Sequence, residues 1–175
     1  EFSEGIIEEG ERVAKIVSNL LSFARQNRES HSPASVKDII NASLSLIGSV
    51  LRKDQIILIY DIPDEFPNIK CRSQQIEQVI INLLTNARDA LNARYPDYDS
   101  NKIVKISVKH LKKDKEEYIR TTIEDHGIGM RQDVIDRIFD PFFTTKPIDI
   151  GTGLGLSVSY GIIKEHNGVL SVESK

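Results

Sequence analysis

Asparagine and aspartate side chains recur at helical spacing within residues 73–95. Asn82, Asn86 and Asp89 are four and three residues apart, and Gln78 precedes them by four, so all four share one face of an α-helix. Two asparagines on one face need a reason, because asparagine is a poor helix former. Its side-chain oxygen can ligate Mg²⁺, which prefers hard oxygen ligands and often bridges to substrate phosphates. The pattern gives a candidate Mg²⁺ ligand, with a solvated helix face as an equal alternative.

A carboxylate and two glycines end an apolar strand pattern in the stretch IEDHGIGM. Asp125 can accept a hydrogen bond from an exocyclic amine. Gly127 and Gly129 would let a planar ring lie against the backbone. An ordinary Asp-x-Gly turn has the same residues, so this stretch alone does not separate a ring-binding site from a turn.

Three phenylalanines flank Pro141 in the stretch RIFDPFFTTKP. An exposed loop rarely carries so much aromatic surface, which predicts a hinged lid anchored by Phe139, Phe142 and Phe143. Lys146, near the end of the stretch, would be free to reach a phosphate. Simple anchoring of a loop by phenylalanine explains the same residues.

The last chemical pattern is the glycine-rich stretch DIGTGLGLSV, in which Gly151, Gly153 and Gly155 alternate with Thr152 and Leu154. It is not a Walker A loop, because no Gly-Lys-Ser/Thr closes it, and its gaps do not fit G-x-G-x-x-G. Backbone N–H groups that open a helix can bind phosphate. A plain glycine turn before a helix is the alternative.

Helices and strands without regular βαβ alternation must position these stretches. Apolar periodicity predicts helices over residues 36–53, over 73–95 with Ser73 as the cap, over 134–139, and over 156–166 with Gly168 as the C-terminal cap. Strands are predicted over 55–62 as a buried strand, over 68–71, over 169–174, and as an antiparallel hairpin over 102–111 and 118–127. The fold class is therefore predicted as α+β, a two-layer sandwich with a mixed, mostly antiparallel sheet and helices on one face.

The first 30 residues form a separate unit with a heptad-like apolar stripe. Ile6, Val13 and Leu20 lie seven apart, and neighbouring apolar positions widen the stripe beyond a two-stranded seam. This predicts one helix of a four-helix bundle between two copies of the chain, in preference to packing on its own domain. The polar segment around Pro33 predicts a linker over 31–35, before a second domain over 36–175 from which a closing strand is expected to be missing.

Composition narrows the class of protein. The chain has 175 residues, 39% of them hydrophobic and 28% charged, and a net charge of −3, which argues against nucleic acid as a partner. The one cysteine, Cys71, cannot form an internal disulfide and fits a reducing compartment. No run of 18 apolar residues occurs, so we expect a cytoplasmic piece whose parent protein can be membrane-anchored only by segments upstream.

In sequence order, NLLTNARDA, DHGIG, FDPFFTTK and GTGLGL resemble the N, G1, F and G2 boxes of sensor histidine kinases. These kinases belong to the ATPase superfamily shared by gyrase, Hsp90 and MutL. The resemblance covers residues 36–175 and implies a Bergerat-type ATP-binding fold. Residues 1–30 look like the second helix of the dimerisation and phosphotransfer hairpin, which makes residues 36–175 the catalytic ATP-binding domain.

The resemblance implies a role for each box. Asn86 would coordinate Mg²⁺ that bridges the ATP phosphates, Asp125 would bind the adenine amino group, and Lys146 would contact a phosphate. The other nucleotide-binding residues that it implies are Gly127 and Gly129 at the purine, Phe142 in the lid, and Gly151, Thr152, Gly153, Leu154 and Gly155 at the phosphates.

Asn82 leads to a sharper expectation. In the hydrolysing branches of the superfamily, a glutamate that activates water lies four residues before the metal-binding asparagine. Asn82 cannot act as a base at neutral pH, so ATP hydrolysis should be slow and the phosphoryl group should pass to a protein. Asn82, Asn86 and Lys146 are therefore the predicted catalytic residues.

Some positions depart from the family's pattern. His126 replaces a small or polar residue and is expected at the exposed rim of the pocket. Asp89 lies where related kinases often have a basic residue, and it could bind a water of the Mg²⁺ shell. In the family, the phosphoacceptor histidine lies on the first helix of the hairpin and is followed by an acidic residue. No histidine of this chain has that setting; the four are His31, His110, His126 and His166. We therefore expect this chain to lack the acceptor.

The resemblance implies an ATP-dependent protein-histidine kinase. It would phosphorylate a histidine on the helical bundle of a homodimer, and the phosphoryl group would then pass to an aspartate on a response regulator receiver domain. One alternative is a nucleotide-binding dimerisation or relay module without catalysis. Another is a serine kinase or hydrolysing ATPase of the same superfamily, against which Asn82 and the bundle helix argue.

Overall fold

The computed structural model describes residues 30–113, 116–147 and 151–174, so the bundle helix predicted over residues 1–30 lies almost wholly outside the described residues. In chain order the elements are β1 (Ser32–Ala34), α1 (Val36–Lys53), β2 (Ile57–Asp61), β3 (Ile69–Cys71), α2 (Ser73–Arg94), β4 (Ile103–Lys113), β5 (Glu116–Asp125), α3 (Gln132–Ile135) and α4 (Gly155–Glu165).

The strands form two sheets. In the larger one, β2 runs parallel to β4 and β4 runs antiparallel to β5, with Tyr60 opposite Ile106 and Ile106 opposite Ile123. The smaller one pairs β1 with β3 antiparallel. The α+β class and the mixed sheet are therefore confirmed, and so is the hairpin of β4 and β5.

The hydrophobic core lies between the helices α1 and α2 and one face of the larger sheet. Ser35 caps α1 by accepting a hydrogen bond from the Asp38 N–H at 3.3 Å. Residues that are completely buried in this core are Ile40, Leu51, Leu84, Leu91, Val104 and Ile106. Each helix thus packs its apolar face on the sheet, so the polar face of α2 is turned away from the sheet.

Two strand predictions were wrong in part. β2 was predicted as a buried strand, but Ile57 and Ile59 are exposed because β2 lies at the edge of its sheet, where the described residues cover it only partly. Residues 169–174 were predicted as a strand and have no strand pairing. An alternating pattern predicts extended backbone, but a strand also needs a partner for its hydrogen bonds.

Three helix ends differ from prediction. The N-cap of α2 is Arg72, and Ser73 is the first helical residue. The residue with the left-handed conformation after α4 is Asn167, at φ 56°, while the N–H of Gly168 donates to the Ile163 carbonyl at 2.9 Å. This is a Schellman ending in which asparagine takes the place that was assigned to glycine. The helix predicted over 134–139 is shorter and earlier, because its second half forms turns.

The segment predicted as a linker is joined to the domain by β1. The strand pairs with β3, and the ring of His31 lies edge-on to that of His166 with 4.8 Å between centroids. The boundary between bundle helix and catalytic domain stays a prediction, but residues 32–34 lie in the sheet that leads into α2. In the part of the chain that the structure describes, no helix has the length and apolarity needed to span a bilayer.

Candidate functional site

The polar face of α2 packs against α4. The Asn82 side-chain amide donates to the Gly155 carbonyl at 3.3 Å and to the Ser159 hydroxyl at 3.2 Å, and Ser159 is fully buried. One turn earlier, the Gln78 Oε1 is buried and has no hydrogen-bond partner among the described residues. Asn82 therefore fixes the start of α4 on α2, and this part of the stripe is not a solvated face.

One turn further along α2, Asn86 and Asp89 contact the Lys146 ammonium. The Lys146 Nζ lies 3.3 Å from the Asn86 Oδ1 and 2.5 Å from the Asp89 Oδ2. Lys146 and Asp89 are 57 residues apart in the sequence. The structure thus brings the predicted metal ligand and the predicted phosphate contact to the same place, together with the acidic residue that departs from the family's pattern.

The turn after β5 presses against the C-terminal half of α2. Asp125 accepts the Gly127 N–H at 2.8 Å through Oδ1, and no donor among the described residues reaches its Oδ2. The Ile128 N–H donates to the Ala90 carbonyl at 3.3 Å. A Cβ on Gly127 would come within 2.6 Å of the Ala90 Cβ, so only glycine permits this approach. Asp125 is exposed, with one carboxylate oxygen open to a ligand.

Arg94 fastens the same turn from the end of α2. Its Nη1 donates to the His126 carbonyl at 3.1 Å and to the Gly127 carbonyl at 2.9 Å. The His126 side chain is exposed, as was predicted for the rim of the pocket. Sequence reasoning missed Arg94, because an arginine in the last turn of a helix normally needs no explanation beyond the helix dipole.

Replacing Arg94 with alanine is expected to weaken ATP binding about fivefold, because two hydrogen bonds that hold the turn beside Asp125 are lost. Titration of ATP against the variant measures this. Arg120→Ala, on an exposed part of β5, removes the same charge away from the turn and should leave the affinity unchanged. Equal affinities for Arg94→Ala and the parent chain would show that the turn does not depend on Arg94.

The phenylalanines of the lid have three different environments. The Phe139 ring packs on the Tyr160 ring of α4, with 5.0 Å between centroids. The Phe143 ring lies under the Arg137 guanidinium at 4.5 Å. Phe142 has φ 66° and is 69% exposed, so the prediction that it anchors the lid was wrong. The left-handed backbone of Phe142 turns its ring outward.

The glycine-rich stretch closes tightly on the lid. The Phe142 N–H donates to the Gly153 carbonyl at 3.0 Å, and Gly153 has φ 65°. A Cβ on Gly153 would lie 2.6 Å from the Phe142 carbonyl oxygen, so the main chains meet where no side chain fits. On Gly151, a Cβ would lie 2.9 Å from that of Lys146. These two glycines therefore set the shape of the lid, and Asp149 and Ile150 lie outside the described residues.

Helix α4 begins at Gly155 without a side-chain cap. Its N-cap, Leu154, is nearly buried and makes no capping hydrogen bond with its side chain, while its N–H donates to the Thr152 hydroxyl at 3.4 Å. The nearest side chain to a Cβ on Gly155 would be Asn82, 3.9 Å away. The uncapped N–H groups of the first turn, with the positive end of the helix dipole, suit an anion.

A second ion pair stabilises the α2 side of the site. The Arg88 Nε binds the Asp54 carboxylate, and Asn92 donates to the same oxygen at 2.7 Å. Burial opposes ionisation of Asp54, but these hydrogen bonds outweigh it and hold the pKa of the carboxyl below its ordinary value. The Arg88 Nη1 lies 3.7 Å from the Asp89 Oδ1.

His166 is a structural residue that sequence reasoning left without a role. Its Nε2 accepts the Arg72 N–H at 3.0 Å, and its Nδ1 lies 2.7 Å from the Ile162 carbonyl. The ring therefore joins the end of α4 to the start of α2. With Asn82, it fixes α4 on α2 at both ends, which holds the glycine-rich stretch over the polar face.

The donor set suits a magnesium–nucleotide complex. Asn86 and Asp89 each direct an oxygen at a cation, the Lys146 ammonium, so the place favours positive charge. An amide oxygen and a carboxylate are hard ligands, and Mg²⁺ usually takes few ligands from protein and the rest from water and phosphate. When bound, Mg²⁺ would neutralise the charge of the phosphates. Asn86 would hold it directly.

Comparison with known proteins agrees with this arrangement. Residues 71–175 match the family described as histidine kinase-, DNA gyrase B-, and HSP90-like ATPase. The chain is 33% identical over 170 residues to Sporulation kinase E of Bacillus subtilis (strain 168), covering 97% of this chain and 21% of that protein. The chain thus spans about a fifth of the length of this relative.

Solved structures show the same fold. The catalytic domain of histidine kinase ThkA is similar with a TM-score of 0.63 and 26% identity, over 79% of this chain and 82% of that one. A structure of ThkA in complex with the response regulator protein TrrA is similar with a TM-score of 0.63 and 23% identity, over 91% of this chain and 42% of that one. The chain therefore belongs to the histidine kinase-, DNA gyrase B- and HSP90-like ATPase family, as the ATP-binding catalytic domain of a sensor histidine kinase.

Proposed function

We propose that the chain transfers the γ-phosphoryl group of Mg²⁺-ATP to a histidine on a dimeric helical bundle. The observation that carries the proposal is that one face of α2 contacts both groups: Asn86 contacts Lys146, and Asn82, one turn earlier, contacts the uncapped start of α4. A metal ligand, a cationic side chain and a row of backbone donors are what a triphosphate requires. No acid–base residue is needed beyond the acceptor itself, so catalysis would rest on positioning and on charge neutralisation.

Each end of the nucleotide would have its own residues. The open oxygen of Asp125 would accept from the adenine amino group, in a turn that Gly127 shapes by its contact with α2. Gly129 follows in the same turn at φ 67°. At the other end, the α4 amides and Lys146 would bind the phosphates.

In the proposed transfer, the γ-phosphoryl group moves from ATP to the acceptor histidine. An imidazole nitrogen of the acceptor histidine forms a bond to the γ-phosphorus while the bond from that phosphorus to the β–γ bridging oxygen breaks. ADP leaves with the electron pair, and the imidazole loses its N–H proton to solvent. Asn82 donates to Gly155 and Ser159 and has no basic group, so it would not activate water in competition.

The chain alone, given γ-labelled ATP and Mg²⁺, is expected to remain unlabelled and to release phosphate slowly. Addition of a separate hairpin that contains the acceptor histidine should produce label on that hairpin, at least about 100-fold faster than hydrolysis, because no general base activates water. Label that is stable on a histidine of the chain itself would contradict the expected absence of an acceptor.

Two alternatives give different results in the same experiment. A relay module without catalysis would bind ATP and transfer nothing to the hairpin. A hydrolysing ATPase of the superfamily would release phosphate as fast with the hairpin as without it. We favour the kinase because the position four residues before Asn86 is an amide whose N–H groups are used structurally.

The partners that we propose follow from the kinase function. A homodimer would form through the bundle helix of residues 1–30, and a response regulator receiver domain would take the phosphoryl group onto an aspartate. The complex of ThkA with the response regulator TrrA supports a partner of this class. This domain would work in the cytoplasm.

A further inference from the structure

Lys146 is the lid's contact with the polar face of α2, and Asp89 is its nearest partner. The side chains of Lys146 and Asp89 are 33% and 30% exposed, so their ion pair is partly shielded from water. The second oxygen on Lys146 belongs to Asn86, the proposed metal ligand. The Lys146 ammonium therefore binds the Asn86 and Asp89 oxygens, which face the proposed nucleotide site.

Asp89 is also held from the side away from the lid. Arg88 lies 3.7 Å from its second oxygen, and Arg88 is itself fixed by the Asp54 carboxylate at the end of α1. Asn92 donates to the same Asp54 oxygen that binds Arg88, so this carboxylate is held in place beside Arg88. The Asp89 carboxylate thus has a fixed position, between one cation on its own helix and one on the lid.

The lid backbone near Lys146 is closed by its own hydrogen bonds. The Lys146 N–H donates to the Thr144 hydroxyl at 3.1 Å, and the Gly151 N–H donates to the Pro147 carbonyl at 3.1 Å. The Phe142 N–H is bound to the Gly153 carbonyl. These hydrogen bonds connect the backbone on both sides of Lys146. If the Lys146 side chain loses its contacts with α2, we therefore expect these backbone hydrogen bonds to open more often.

We propose that Asp89 is a positioning residue that holds the Lys146 ammonium, and with it the lid, on α2 until nucleotide phosphate replaces the carboxylate as its partner. The proposal rests on the proposed function, since it needs a phosphate that Lys146 can reach. A triphosphate carries several negative charges and Asp89 only one, so the Lys146 ammonium binds the phosphate in preference to the Asp89 carboxylate. The ion pair must open before Lys146 reaches the phosphate, and this lowers the apparent affinity for ATP.

Amide hydrogen exchange of Phe142 and Gly151, resolved by NMR on the whole chain without nucleotide, tests the hold on the lid. Asp89→Asn should speed the exchange of both amides about threefold, the strength expected of a partly exposed ion pair. Asp133→Asn removes the same charge from an exposed pair with Arg131 and should change neither rate. Unchanged rates in Asp89→Asn would overturn the proposal.

A double variant shows whether Asp89 acts through Lys146. Lys146→Met should speed the same two amides, and Asp89→Asn in that background should add nothing. Additive effects would mean that Asp89 influences the lid by another route, and they too would overturn the proposal.

ATP titration in the presence of EDTA gives a second reading. Asp89→Asn should bind ATP about threefold more tightly than the parent chain, and this gain should vanish in the Lys146→Met background. A gain of the same size in both backgrounds would mean simple repulsion between Asp89 and phosphate and would overturn the proposal. If the parent chain binds no ATP at all, the proposed function fails, while the exchange rates still decide whether Asp89 holds the lid.

Discussion

Replacing Asn86 with alanine is expected to lower phosphoryl transfer from Mg²⁺-ATP by at least about 100-fold, because the proposed amide ligand of the metal is lost. The fold should survive the change. Asn86 is partly exposed, and among the described residues its oxygen hydrogen-bonds only with the Lys146 ammonium, at 3.3 Å. Alanine also favours a helix more than asparagine does, so α2 should gain up to about 0.7 kcal/mol. Transfer to a separate hairpin, measured against Mg²⁺ concentration, gives the result.

Asn92→Ala is the matched control, since it is the same change on the same helix at a residue that is not among the proposed metal or nucleotide ligands. Its side chain donates to Asp54 at 2.7 Å, so the variant should lose some stability and keep its rate of transfer. Binding of ADP in EDTA should be the same for Asn86→Ala and the parent chain, because no metal is involved. Near-normal transfer by Asn86→Ala would remove Asn86 from the metal site.

Replacing Gly153 with alanine is expected to weaken ATP binding at least about tenfold. Gly153 has φ 65°, and its Cβ would lie 2.7 Å from the Phe142 Cα and 2.6 Å from the Phe142 oxygen. A non-glycine residue in such a conformation costs about 1–3 kcal/mol before any collision is counted. The hydrogen bond from Phe142 to Gly153 would break, and the lid would lose the shape that places Lys146.

Gly155→Ala, two residues away, tests whether ATP binding needs a glycine at the start of α4 as well as the glycine that contacts the lid. A Cβ on Gly155 would make only an ordinary van der Waals contact, with Asn82 at 3.9 Å, and alanine is favourable in a helix. We expect this variant to bind ATP within about threefold of the parent chain. If Gly155→Ala proved as damaging as Gly153→Ala, close approach of phosphate to the Gly155 backbone would be the controlling factor, and the strain at Gly153 would not.

The sequence predicts the local structure well where one short stretch contains its cause. Helix α1 has its predicted bounds of 36–53, because the cap at Ser35 and the apolar period agree. The end of α4 was assigned to Gly168 because glycine is the usual left-handed residue, yet Asn167 takes that conformation. Phe142 was expected to be packed as an aromatic residue, and its left-handed backbone exposes it. In both cases the left-handed backbone conformation explains the difference from the prediction, and the residue types alone do not predict that conformation.

Contacts between distant parts of the chain could not be predicted. The helical stripe placed Asn82, Asn86 and Asp89 on one face of α2. In the structure Asn82 contacts α4, while Asn86 and Asp89 contact Lys146 of the lid. The pairing of Asp89 with Lys146 and the hold of Arg94 on the turn after β5 depend on how the lid and the turn dock on α2. Such docking results from the packing of the whole domain, and each residue alone has an ordinary surface explanation.

NMR of the ¹⁵N-labelled chain, titrated with Mg²⁺ and a non-hydrolysable ATP analogue, tests most directly whether the four stretches form one nucleotide site. We predict that the largest shifts occur at the amides of Asn86, Gly127, Gly153 and Gly155, with the Phe139 amide and β2 little changed. Shifts centred on the separate cleft lined by Lys53, Gln55 and Lys102 would contradict this site. The absence of any shift at saturating analogue would contradict nucleotide binding by the chain altogether.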